Sequence, residues 1–259
     1  MDHRGKLEVA NEIGRFIRAK FGEAILVGLL SGSVARGEDT EHSDLEVVFV
    51  TGKHVRLPGM SPDGFREFLL RDLQTQIEFR TKEEVISERL THVGPYWPFQ
   101  VWIYLEPHVF YGAQEIVDTT VTEFRRRVGE LPDSVFREAA GHALLWVRGH
   151  LGKVRNAHDE EDDARAAQAA EWMGYEVAGF VALVNRRYYL HADLRWLKES
   201  ESFRSLPDDY RELMVRLHSA RNRIETLQAA QDLYSACTAL AMKRGIRMET
   251  HERLEELGL

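Results

Sequence analysis

The run Ser31-Gly32-Ser33-Val34-Ala35-Arg36-Gly37, followed after a short spacer by Ser43-Asp44-Leu45-Glu46, joins residues that can cradle a phosphate to residues that can hold a metal ion. Gly32 lets the backbone come close to a phosphate, Ser33 adds a hydroxyl, and a short helix starting near Val34 would aim free N–H groups at the same oxygens. Arg36 supplies a planar fork of donors suited to phosphate. On an extended strand, residues two apart point to one face, so Asp44 and Glu46 would present their carboxylates side by side to shared divalent cations. Either half alone is common in turns and at solvated strand ends. Their combination on consecutive strands points to phosphoryl chemistry.

The flanking elements follow from hydrophobic patterning. Ile25-Leu26-Val27-Gly28-Leu29-Leu30 before the motif and Val47-Val48-Phe49-Val50 after it predict buried strands. Leu7, Ala10, Ile13, Phe16, Ile17 and Phe21 recur at helical steps, which predicts an amphipathic helix packed on the first strand. The turn-rich stretch from Leu57 to Gly64 leads into a segment that ends in a strand around Gln76-Ile77-Glu78-Phe79, and His108-Val109-Phe110-Tyr111 reads as a further short strand. Residues 113–128 have helical content, and Gly129-Glu130-Leu131-Pro132-Asp133 is a compact break, which sets expected domains at 1–129 and 130–259. Beyond the break the strand signals fade. Helices are predicted from Ser134 to about Asn156, from Ala164 to about Tyr189, and one or two between Leu213 and Lys243, with an acidic loop over 158–163.

The 259 residues are 44% hydrophobic, enough for a real core, and the single cysteine, Cys237, reads as a small buried residue. The charged start shows no signal-peptide core and no apolar run approaches a membrane span, so a cytoplasmic protein without a membrane partner is expected. A net charge of −8 counts against a general nucleic-acid binder and favours a cationic partner.

With these residues in view, the chain resembles the nucleotidyltransferase superfamily that includes DNA polymerase β, and within it the kanamycin nucleotidyltransferase family. The pattern Gly-Ser-x-x-Arg then Ser-Asp-x-Glu is met by Gly32-Ser33-Val34-Ala35-Arg36 and Ser43-Asp44-Leu45-Glu46. The likeness continues through Gln76-Ile77-Glu78-Phe79, the Trp97-Pro98 step and Gly152-Lys153-Val154-Arg155-Asn156, and covers nearly the whole chain. It implies an α+β fold: an N-terminal nucleotidyltransferase domain with a mixed sheet and helices, and a C-terminal helical bundle. It implies transfer of AMP from Mg²⁺-ATP to an aminoglycoside hydroxyl, the 4′ position, by a homodimer with active sites between subunits. A polycationic antibiotic also suits the acidic charge.

Carried over residue by residue, the resemblance assigns Asp44 and Glu46 to the metal and Glu78 as a third carboxylate, which also serves the substrate together with Glu67. Gly32, Ser33, Arg36, Ser43 and Lys153 are the expected nucleotide contacts. One departure bears on mechanism: the family's general base is a glutamate one helical turn before the lysine, and here that position is Gly149. His150, the nearest titratable neighbour, and Glu78 are the two candidate bases. The histidines at 142, 150 and 158 drift around a helix and do not form a ligand cluster. Two other functions compete. One is a minimal nucleotidyltransferase that adenylylates protein or RNA, such domains being paired with a helical partner whose Arg-x4-His signature Arg186 and His191 mimic. The other is a non-catalytic binder or sensor, which Gly149 makes conceivable.

Overall fold

The computed structural model describes residues 1–191 and 194–249; the last residues of the expected C-terminal domain, 250–259, lie outside them. In chain order the elements are α1 (His3–Phe21), β1 (Ile25–Leu30), α2 (Gly32–Arg36), β2 (Leu45–Thr51), β3 (Phe65–Leu70), β4 (Leu73–Thr81), α3 (Lys82–Glu84) running into a π-helical turn Val85–Leu90, α4 (Trp97–Gln100), α5 (Trp102–Leu105), β5 (His108–Gly112), α6 (Gln114–Gly129), α7 (Asp133–Asp159), α8 (Asp163–Val184), α9 (Trp196–Ser200), α10 (Tyr210–Ser219) and α11 (Arg223–Lys243). The chain divides into two compact units. One holds Met1–His92 and Gln100–Leu131, the other Val93–Phe99 and everything from Pro132 onward.

The first unit is built on a mixed five-stranded sheet in the order β3-β4-β2-β1-β5. Only β2 and β4 run parallel; the other neighbours are antiparallel. Alternation along the strands gives the sheet two chemically distinct faces. Leu45, Val47, Phe49, Ile77 and Phe79 point to one face, where α1 covers them with Val9, Ala10, Ile13 and Ile17. Each such side chain removed from water contributes roughly 1.5–3 kcal/mol. Glu46, Gln76 and Glu78 belong to the opposite face, because they alternate with that core set.

Two expectations change here. Phe16 is 61% exposed and Val9 takes its place, since Phe16 falls at the edge of the stripe centred on Ile13 and Ile17. The segment before the Glu78 strand is itself a strand, β3, joined to β4 by a two-residue hairpin turn in which Arg71 and Asp72 both have positive φ, 54° and 62°.

The second unit is a helical bundle in which α7 and α8 pack along their lengths and α10 and α11 complete the core. Buried alanines at 139, 140, 143, 166, 169, 170, 178 and 182 keep the helix axes close. The acidic loop shrinks to a turn: Asp162 caps α8 by accepting from the Arg165 N–H at 3.0 Å, so its charge sits at a helix N-terminus. The helix expected to reach Tyr189 ends at Val184. The segment Val93–Phe99 belongs to this bundle. Phe99 stacks on Tyr175 at 4.1 Å, and the Tyr189 N–H donates to the Pro98 carbonyl at 2.8 Å. Among the described residues, no helix is long and apolar enough to cross a membrane.

Candidate active site

In the first unit the turn after β1 and the start of β2 are tied together by the Ser31 N–H, which donates to the Glu46 carbonyl at 3.0 Å. Gly32 has φ +63°, and a Cβ built on it would collide with Glu46 Oε2. The carboxylate of Glu46 therefore lies directly against the glycine backbone, and a side chain at position 32 would strain the positive φ and displace that carboxylate. Burial, first, and then the negative charges of Asp44 and Glu78 push the Glu46 carboxyl above its usual range, with Arg36 opposing. Four of the expected site residues thus share one electrostatic neighbourhood. Arg36 donates from Nε to Glu38 at 3.0 Å and lies over the Trp102 ring at 5.5 Å, which fixes its guanidinium near the acids. The Ser33 hydroxyl makes no hydrogen bond among the described residues. Ser43 is drawn into its own loop instead, accepting from the Thr40 N–H at 3.0 Å.

Glu78 sits one rung along the same face: in the parallel register Glu46 is opposite Gln76 and Glu78 opposite Val48. Its Oε1 accepts from Arg80 Nε and lies 3.5 Å from Arg89 Nη2. Burial works to lower the Arg80 pKa, but the bond to Glu78, that carboxylate's charge and the nearby Tyr104 and Glu88 together outweigh it, and the guanidinium is held more firmly charged. Tyr104, buried beside Glu78, keeps its proton, its pKa raised by burial and then by that carboxylate. Among the described residues no group of three or more His, Cys, Asp or Glu side chains is arranged to hold a metal ion. Glu78 is thus paired with two guanidiniums, while its charge still acts on Glu46. Glu67 lies opposite Gln76 on β3, so Glu46, Gln76 and Glu67 form one row across three strands, and Glu67 accepts a hydrogen bond from Gln74.

The loop carrying Ser43 and Asp44 has an anchor that sequence reading misses. Lys6 on α1 is fully buried and its Nζ donates to Asp39 Oδ2 at 3.1 Å and to the Thr40 carbonyl. His3 Nδ1 lies 2.5 Å from the other oxygen of Asp39. Burial alone would raise the Asp39 pKa, but the bonds from His3 and Lys6 hold the carboxyl below its usual range. The available signal was a lysine on the apolar stripe of an amphipathic helix.

In the second unit, Lys153 is exposed on α7 and makes no ion pair or hydrogen bond among the described residues. His150, on the same helix, stacks on Trp172 at 6.5 Å and leaves its buried Nδ1 without a partner. Burial, then Lys153, pushes its pKa down, so the ring is neutral at physiological pH. A Cβ built on Gly149 or Gly152 would meet nothing within 4 Å, so this side of α7 faces open space. Opposite, on α8, sits a residue not singled out from sequence: Glu176, 2% exposed, accepting from the Tyr96 hydroxyl at 3.4 Å. Its only sequence signal is isolation, one acid amid Val177-Ala178-Gly179-Phe180-Val181.

Arg186 and His191 do not share a helix. Arg186 lies past the end of α8 with φ +52°, paired with Asp133 at 2.5 Å and over Phe136 at 4.7 Å, while His191 is bound to Glu199 through both its ring and its backbone N–H. The two side chains are held by separate partners.

The family described as the KNTase C-terminal domain matches residues 118–247. Among solved structures the chain is similar to a nucleotidyltransferase-like protein from Exiguobacterium sibiricum 255-15, at 12% identity over 90% of this chain and 77% of that one, with a TM-score of 0.50. That likeness is one of fold. No curated protein matches the chain by sequence.

Proposed function

The chain belongs to the kanamycin nucleotidyltransferase family, and on that footing we propose that it is an aminoglycoside O-nucleotidyltransferase, moving AMP from ATP to a hydroxyl of the antibiotic. The observation that carries the reading is the fit of Glu46 against Gly32, with Asp44 and Arg36 in the same neighbourhood. Two carboxylates beside a phosphate turn suit Mg²⁺, which takes one or two protein carboxylates and completes its shell with water and phosphate oxygens. Glu46 is also an acid whose charge is disfavoured by burial and by like charges, the condition a cation relieves. Asp44 and Glu46 would hold the ion, and when bound it offsets the negative charge that develops on the phosphate oxygens.

The remaining roles belong to the chain itself. Gly32 lets the backbone approach the triphosphate, the Ser33 hydroxyl donates to it, and Arg36 balances its charge from a position fixed by Glu38 and Trp102. Lys153 takes the role that the family resemblance implies, a contact to the triphosphate. Glu67, in the row of Glu46, offers a carboxylate to an ammonium group of the acceptor. In the transfer the acceptor oxygen bonds to the α-phosphorus, the bond from that phosphorus to the bridging oxygen breaks, and pyrophosphate leaves. The enzyme acts as a homodimer, as the family resemblance implies.

Pure protein incubated with ATP, Mg²⁺ and a panel of aminoglycosides is expected to release pyrophosphate only when an antibiotic is present. Release driven by RNA or protein acceptors instead would transfer the function to the adenylyltransferase reading. Absence of release with every acceptor would leave a binder. A particle of twice the chain mass by light scattering checks the dimer.

A further inference from the structure

One end of the helical bundle gathers positive charge, although the chain as a whole carries a net charge of −8. A cavity of about 190 Å³, formed within the second unit, is lined by three guanidiniums, Arg137, Arg186 and Arg244, and by a single carboxylate, Asp133. The rest of its wall is apolar and includes Phe136, Leu183 and Ile246.

The neighbouring groups do not account for this set. Arg186 pairs with Asp133 at 2.5 Å and lies over the Phe136 ring at 4.7 Å. Arg244 donates from Nη2 to the Ser205 hydroxyl, a neutral partner. Both follow helix C-termini, Arg186 just past the end of α8 and Arg244 as the C-cap of α11, where the helix dipole favours a cation. Arg137 has no such reason to be there. It stands one helical turn beyond Asp133 near the start of α7, the end of a helix at which a cation gains nothing from the dipole. It makes no hydrogen bond or ion pair among the described residues. Three positive charges against one negative leave the cavity a net charge of +2. Like charges held beside an apolar wall repel one another more strongly than in water, and an anion relieves that repulsion.

We propose that this cavity is a binding site for a small phosphomonoester. The phosphate of a monoester carries close to two negative charges at neutral pH, which matches the unbalanced charge, and its oxygens suit the planar donor forks of arginine. The apolar wall takes a short carbon moiety beside the phosphate and keeps water from one side of the ion pairs, which strengthens them. A phosphodiester, with one negative charge, would leave half of the excess unbalanced. The site is separate from the place given to Lys153, since the stretch of α7 from Arg137 to Lys153 spans about 24 Å at the helical rise. Its occupation does not depend on nucleotidyl transfer.

The test titrates glycerol 3-phosphate calorimetrically into the full chain without ATP or Mg²⁺, at an ionic strength held constant with chloride. The expected Kd is about 1 mM or tighter, and dimethyl phosphate, a monoanionic diester, is expected to bind at least about tenfold more weakly. Arg137→Gln and Arg244→Gln should each weaken glycerol 3-phosphate at least about tenfold, the effect of one lost charge-assisted hydrogen bond. Without ligand, Arg137→Gln should melt within about 2 °C of wild type or above it, because its side chain makes no polar contact and like-charge repulsion falls. A wild type that binds no glycerol 3-phosphate at about 10 mM overturns the proposal. So does an affinity unchanged in either variant, which places the binding elsewhere, and so does a marked fall in the unliganded melting temperature of Arg137→Gln, which makes that residue part of the fold. Dimethyl phosphate binding as tightly as the monoester overturns the assigned ligand class.

Discussion

Replacing Glu176 by glutamine should stabilise the protein, and more so as the pH rises. In the folded chain the carboxyl holds its proton up to about pH 7, against an ordinary value of 4.5. Each pKa unit corresponds to about 1.4 kcal/mol, so forcing the buried group to ionise costs about 3 kcal/mol once the pH exceeds both values. The sign is that of a raised pKa: the folded state binds the proton more tightly, its contribution is full below 4.5, and it is lost as the pH rises through about 7. Glutamine does not ionise, and every other group cancels in the difference between variant and wild type. By the same linkage about 1 kcal/mol of the penalty is present at about pH 5.5 and about 3 kcal/mol at about pH 8.5, so the variant's advantage should grow by about 2 kcal/mol between them. Against a total stability of about 5–15 kcal/mol, that is easily resolved by urea unfolding at the two pH values with the slope checked for constancy. Parallel stability profiles for the two proteins, within about 0.5 kcal/mol, would refute the idea that this carboxyl is desolvated and underpaired.

Asp44→Asn should lower turnover by roughly 10³-fold while leaving unfolding stability within about 1 kcal/mol, because the residue precedes β2, is only half-buried and lies outside the apolar core cluster; steady-state kinetics and thermal melting check both halves. Gly32→Ala should cost roughly 1–2 kcal/mol from the positive φ and, by displacing Glu46, at least about tenfold in turnover, measured on the same preparations. Lys6→Met should destabilise by about 3 kcal/mol by leaving the buried Asp39 with His3 alone, and adding Asp39→Asn should recover part of that loss; urea titrations of the single and double variants decide it.

What could be read from the sequence was whatever depends on local pattern. The motif residues Gly32, Asp44 and Glu46, the strands around them and the helical half all follow from periodicity and residue chemistry. The strand β3 escaped because its turn uses Arg71-Asp72 in a conformation usually advertised by asparagine or glycine. Lys6 escaped because a lysine near the chain start reads as solvated, and only the return of the chain at Asp39, 33 positions later, buries it. The pairing of Glu78 escaped for a related reason: strand alternation places Glu78 on the face of Glu46, but Arg80 lies two residues on along that face and Arg89 arrives from the following turn. Pairing across tertiary space is not written in spacing.

Glu46 and Glu176 show why burial alone does not define a role. Both carboxyls are raised foremost by desolvation. Around Glu46 the neighbours that add to the effect are other carboxylates, Asp44 and Glu78, so the local deficit is one of positive charge. A proton would satisfy Glu46 alone, whereas a divalent cation would satisfy Asp44 with it, and the phosphate turn at Gly32 supplies oxygens to complete its shell. Around Glu176 there is no second acid; a tyrosine hydroxyl and a lysine already favour the anion, yet burial still prevails. Its deficit is a single proton, which the neutral acid supplies for itself. The same desolvation therefore suits one acid to holding a metal and leaves the other protonated in the core of the bundle, and replacing each by its amide should separate them: loss of Glu46 should weaken Mg²⁺-dependent nucleotide binding, while loss of Glu176 should leave that binding unchanged and remove its share of the pH dependence of stability.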